Sequence, residues 1–354
     1  YLIEVTNMKK RNKLYNALAL TLSALAFASC NDFLDTMPDN RAQVDTEQKV
    51  QSILVSAYID HEPIMVAEII SDNVDDFGEN NPNTDRWFDD TFAWKDETED
   101  SNESLNSFWE SAFVSIASAN QALQAIEELE GSTTSNTLNE CKAEALLCRA
   151  YNHFILACMF CKHYSNSADN DLGLPYIEKP ETELNPQYKR GTLAELYEKI
   201  DHDIQEALPL VGDSYYTVPK YHFNTKAAYA FACRFYLYYE KWEEALKYAN
   251  LCLGSQAKTM LRDWKSMANM TQQADAITNE YINASSNANL LLLTGFSRIG
   301  VMFGPYKNYS RYNHGRYLAL NEDMGATNIW GNSSSFYMTP KVYTGTNMDI
   351  TLYV

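Results

Sequence analysis

The chain has 354 residues, enough for one large domain or two ordinary ones, and its 45% hydrophobic and 21% charged residues are those of a folded protein rather than a disordered one. A net charge of −19 argues against nucleic-acid binding, which needs clustered Lys and Arg for phosphate. Only 13 Gly and 10 Pro favour long helices over a many-stranded β fold, and 24 Tyr, 15 Phe and 6 Trp supply flat rings suited to amphipathic ligands.

Met8 is the first methionine, and residues 1–7 read as read-through upstream of a start. Lys9, Lys10, Arg11 and Lys13 precede an apolar run from Leu14 to Ala28, the pattern of a secretory signal peptide and too short to span a bilayer. The run ends at Phe27-Ala28-Ser29-Cys30, which is similar to a bacterial lipobox and makes Cys30 the expected lipidation site.

Further along, 46–61 reads as a helix capped by Thr46. Residues 62–103 are acidic and interrupted by Pro63, Gly78 and Pro82, and read as a loop insertion. Long helices are expected over 104–130 and 137–164, separated by a linker at 131–136. Thr192 and Glu195 form a capping-box pair for a helix to about Leu208. Residues 224–254 read as two helices joined near Glu240–Lys241 and stopped by Gly254. Small residues (Ala227, Ala228, Ala245, Ala249) alternate there with large ones (Tyr238, Trp242, Leu246), as in a tetratricopeptide unit. After residue 255 the helical period fades, and 283–354 reads as loops and short strands.

Six Cys follow Cys30, all in helical patterns, and read as small buried hydrophobes rather than disulfide partners. Cys158-Met159-Phe160-Cys161 lies near the end of a helix, where a redox motif would need a helix start, and only His153 and His163 are near enough in sequence to add zinc ligands. Asp72, Asp75, Asp76 and Glu79 lack EF-hand spacing, and the Asp75/Asp76 and Asp89/Asp90 pairs read as a solvated acidic surface. No nucleophile elbow or phosphate-cradling glycine loop occurs, and no cofactor or metal is expected.

Several stretches together resemble one family, the SusD/RagB lipoproteins. These are Cys30-Asn31-Asp32-Phe33-Leu34-Asp35; Trp109 with Ile116 and Ala119-Asn120; Ala143 to Tyr151; Gly173-Leu174-Pro175-Tyr176; Arg190 with Glu195, Tyr197, Ile200 and Asp203; and the 224–254 hairpin. The resemblance covers about 30–255. It implies a mainly α, SusD-like fold of tetratricopeptide-like helix pairs with a loop-rich ligand-binding face. It also implies a non-catalytic lipoprotein on the outer-membrane surface, which binds a glycan and delivers it to a SusC-like TonB-dependent transporter. The expected organisation is 1–29 read-through and signal peptide, 30–45 lipid anchor and tether, 46–254 helical region, and 255–354 loop-rich ligand face, incomplete at its C-terminus. The family's late R-Y-A-E-containing helix has no counterpart in the sequence.

A sugar ring stacks its C–H face on an aromatic ring and needs polar side chains for its hydroxyls. Two stretches offer both: Trp87 and Trp94 among Asp85, Arg86, Asp89 and Asp90, and Tyr306, Tyr309, Arg311 and Tyr312, with Trp330 beyond. Packing of these rings onto the helical body is the competing reading. Other readings are a peptide ligand, as in the RagB branch, a secreted helical hydrolase and a protein-binding helical scaffold.

Overall fold

The computed structural model describes residues 44–81, 84–130, 135–182, 186–255, 257–271, 274–295, 297–302, 310–314, 341–343 and 348–351. The chain divides into two units, 1–45 and 46–354. The expected signal peptide and Cys30 lie outside the described residues, and everything below concerns the second unit.

Helix α1 (Glu47–Leu54) starts where Thr46 Oγ1 accepts from the Lys49 amide, and continues as a 3₁₀ turn at Val55–Ala57. The expected insertion is more ordered than its composition suggests. It forms α2 (Ile64–Ile69), β1 (Val74–Asp76) and α3 (Arg86–Phe92). Two long helices follow, α4 (Leu105–Glu130) and α5 (Asn136–Phe160), which pack along each other. Ser135 caps α5 by accepting from the Leu138 amide at 3.0 Å.

Helix α5 is buried on nearly all sides, with Ala, Leu and Cys along most of its length. Small residues there let α4 and α6 (Leu193–Ala207) approach closely. One cation is buried with them: Arg149 of α5 donates to both carboxylate oxygens of Asp203 on α6 at 2.6 and 2.8 Å, and to Asn120 Oδ1 of α4 at 2.9 Å. One side chain thereby sets the register of three helices.

The hairpin of α7 (Thr225–Tyr238) and α8 (Trp242–Leu253) turns at Glu240, and Gly254 ends it at φ +57°, as its sequence leads one to expect. Cys141, Cys148 and Cys252 are buried, in line with their reading as hydrophobes, whereas Cys158 is exposed because it lies on the outer face of α5's last turns. Beyond the hairpin come α9 (Trp264–Ala268), α10 (Ala274–Tyr281) and α11 (Ile299–Met302), short helices where loops are expected. β2 (Tyr312–His314) pairs antiparallel with β1, and β3 (Lys341–Tyr343) with β4 (Met348–Thr351). The fold is mainly α, built of helix pairs. Among the described residues no helix is long and apolar enough to cross a membrane.

Candidate functional site

The β1–β2 ribbon joins the two aromatic stretches. Its register pairs Val74 with His314, Asp75 with Asn313 and Asp76 with Tyr312. Arg311 thus stands beside Asp76, donating from Nε and Nη2 to its two oxygens, each at 2.8 Å, and from Nη1 to Asp89 of α3 at 3.2 Å. This bidentate hydrogen bonding holds the Asp76 carboxyl below the usual carboxylate range and raises the Arg311 pKa. Tyr312 donates its hydroxyl to Asp89 at 2.8 Å, and burial pushes its own pKa up.

Helix α3 turns Trp87, Phe88 and Thr91 inward, where the two rings join Met65, Ile69, Val74 and Tyr312 in one core cluster. The outer face carries Asp89 and Asp90. The helix then ends in a Schellman turn: the Lys95 amide donates to the Asp90 carbonyl at 2.9 Å and the Trp94 amide to Thr91 at 3.1 Å. Trp94 therefore occupies the position usually given to Gly, at φ +55°, and is 76% exposed.

The sequence-selected residues thus separate. Trp94 is open to solvent. Trp87 and Tyr312 are 2% and 3% exposed, packed in the core by the helix period and the strand register, and present no face to a ligand. Arg311 is partly buried and committed to carboxylates. Tyr306, Tyr309 and Trp330 lie outside the described residues. Asp76, which reads in sequence as part of a solvated acidic pair, is the main anchor of Arg311. The local sequence does not signal that role, because the partner lies 235 residues further along the chain.

An exposed indole beside fixed polar groups can cover a sugar's C–H face while nearby oxygens accept from its hydroxyls. The carboxylates here are engaged rather than free as an acid–base pair. Asp76 and Asp89 hold Arg311, and Asp90 accepts from the Thr98 amide and hydroxyl at 3.0 and 2.6 Å.

The profile of a SusD-like family, described as "Starch-binding associating with outer membrane", matches residues 32–237. No curated protein matches the chain. Among solved structures it is similar to a SusD superfamily protein from Bacteroides thetaiotaomicron (22% identity, TM-score 0.50, covering 64% of this chain and 50% of that one). It is similar also to a SusD superfamily protein from Bacteroides fragilis (19%, 0.51, 65% and 55%). A third is a SusD-like carbohydrate binding protein from Bacteroides vulgatus (18%, 0.52, 82% and 62%). The chain spans little more than half the length of these structures, and at such identities the likeness establishes the fold. With the profile covering more than half of its residues, the chain belongs to the SusD-like family.

Proposed function

We propose that the protein is an outer-membrane lipoprotein, anchored through Cys30 and facing outward, which binds a glycan without transforming it and passes it to a SusC-like TonB-dependent transporter. The observation that carries this reading is Trp94. A bulky residue held in the left-handed region at a helix end is rare and costs conformational energy, and this one buries little in return. Strain maintained on an exposed ring is accounted for by contact with a ligand. The family profile supports starch-like material as ligand class and the outer membrane as location. The lipobox-like Phe27-Ala28-Ser29-Cys30 supports the anchor.

The test is retention of the purified chain on immobilised polysaccharides, starting with starch. Trp94→Ala is expected to weaken retention by about tenfold or more, the loss typical of a central aromatic contact, with an unchanged circular-dichroism spectrum. Equal retention of both proteins removes Trp94 from the site. Retention on no polysaccharide, with capture by peptides instead, transfers the reading to a peptide ligand.

A further inference from the structure

A second cleft, of about 420 Å³, lies against the 3₁₀ turn after α1, the outer side of α4 and the 292–294 segment. It shares no residue with the Trp94 face. Its volume is in the range of small-molecule sites.

One wall rests on a buried carboxylate. Glu144 of α5 is fully buried and accepts from the Tyr58 hydroxyl at 2.6 Å, from His222 Nδ1 at 2.8 Å and from the Tyr215 hydroxyl. Tyr58 in turn accepts from the Phe223 amide at 2.7 Å, and the His222 ring stacks on Tyr216 at 4.3 Å and 11°. The imidazole is thus fixed in orientation, with Nδ1 donating to the carboxylate. Its Nε2 has no protein partner among the described residues, and the ring lines the cleft. So held, the ring keeps Nε2 for a hydrogen bond with a hydroxyl in the cleft.

The rest of the lining is matched to it. The exposed Asp60 carboxylate takes Ser111 Oγ at 2.6 Å and His61 Nδ1 at 2.8 Å on its Oδ1, bonds that hold its pKa below the usual range, Ser111's foremost, and its Oδ2 accepts from no other described residue. Val55 and Val114 are 66% and 63% exposed, and the Tyr221 ring stands beside them half exposed. No Lys or Arg lines the cleft among the described residues. The chemistry is therefore a carboxylate acceptor, an imidazole nitrogen, hydroxyls and apolar flanks, with no Lys or Arg among the described lining residues to receive an anion.

We propose that this cleft binds a single neutral sugar ring, whose hydroxyls hydrogen-bond His222 Nε2 and the Asp60 carboxylate while Tyr221 and Val114 cover its C–H face. The assignment follows from the cleft's own chemistry and stands whether or not the Trp94 face binds a polysaccharide.

The experiment titrates the full chain, with ¹⁵N-labelled imidazoles, with glucose, galactose, mannose and glucuronate. At least one neutral hexose is expected to shift the His222 Nε2 signal, with glucuronate binding more weakly. Val114→Trp fills the cleft from an exposed position without touching Glu144, and is expected to weaken that hexose about tenfold, the worth of one well-placed polar contact. Tyr221→Ala should weaken it too. Trp94→Ala should leave hexose binding intact while altering polysaccharide retention, which separates the two sites. No response of His222 to any neutral hexose, glucuronate binding as tightly as they do, or unchanged affinity in Val114→Trp each overturns the proposal.

Discussion

His153 is fully buried in α5, with Nδ1 donating to the Arg149 carbonyl at 2.9 Å and Nε2 accepting from the Ile177 amide at 3.1 Å. Both nitrogens are used, and a proton on Nε2 would face an N–H. Burial, with the Arg149 charge adding to it, lowers its pKa to about 3. In the unfolded chain the same imidazole titrates near its ordinary value of about 6.5. Between those two pH values the unfolded state binds the extra proton, so stability rises with pH across the window and is complete above it, at up to about 1.4 kcal/mol per pH unit. The expected outcome is a native His153 ring signal that does not titrate between pH 5 and 8, and a lower urea midpoint at pH 5 than at pH 7. A native midpoint near 6.5 for this ring would sink the argument.

The left-handed residues also belong to this scale. Trp94 and Glu240 both occupy the glycine position of a Schellman turn, at φ +55° and +59°. Substituting either by Gly should raise stability by about 1 kcal/mol. Only Trp94→Gly should also lose polysaccharide retention. A Trp94→Gly protein that is less stable than the parent would show that the indole packs rather than waits for ligand.

Among the elements, α6 shows how local sequence and close packing cooperate. Thr192 Oγ1 accepts from the Glu195 amide at 3.1 Å and Glu195 Oε2 accepts from the Thr192 amide at 2.8 Å. The strand-like bridge before it brings Gly173 so close to Thr192 that a Cβ would collide with backbone rather than with a movable side chain. Gly173→Ala should therefore cost about 1–3 kcal/mol by overpacking, and Thr192→Ala about 1 kcal/mol by loss of the cap. Chemical denaturation measures both, and a neutral Gly173→Ala would mean that the bridge can open freely. The long helices were readable in the sequence because caps, periodicity and a terminal glycine all act within a few residues of one another. Helix α3 was not: it has seven residues, no side-chain cap bond from Asp85, and sits among acidic residues. Its seven-residue length also decides the fate of its rings. Trp87 and Thr91 share the inner face, and Trp94 would follow them if the helix continued. It stops at Phe92, and the left-handed turn throws Trp94 outward. The sequence therefore marked the aromatic stretch but not which ring faces water.

At the scale of the whole molecule, the candidate face depends on pairings between residues 195 to 235 positions apart, which no local pattern encodes. Two arginines from the late part of the chain hold the carboxylates of the early part. Arg298 donates from its amide and Nε to the buried Glu103 at 2.8 and 3.1 Å, and Arg311 bridges Asp76 and Asp89. The Phe77 amide then donates to the Arg311 carbonyl at 2.8 Å and closes the end of the ribbon. A ribbon of two three-residue strands has little stability of its own, so these charge-assisted bonds and the Tyr312 ring keep it in place. Arg311→Met keeps much of the side chain's bulk but leaves Asp76 and Asp89 without their shared cation. The ribbon should open more often, by roughly 1–3 kcal/mol in local free energy, while the α4–α5 body stays closed. Native-state hydrogen exchange distinguishes the two regions. The Phe77 amide is expected to exchange about tenfold faster or more in Arg311→Met, with the α5 amides unchanged and polysaccharide retention reduced along with the ribbon. If the Phe77 and α5 amides accelerate together, the ribbon is part of one cooperative unit with the helices, and its two arginines stabilise the whole fold rather than the face that carries Trp94.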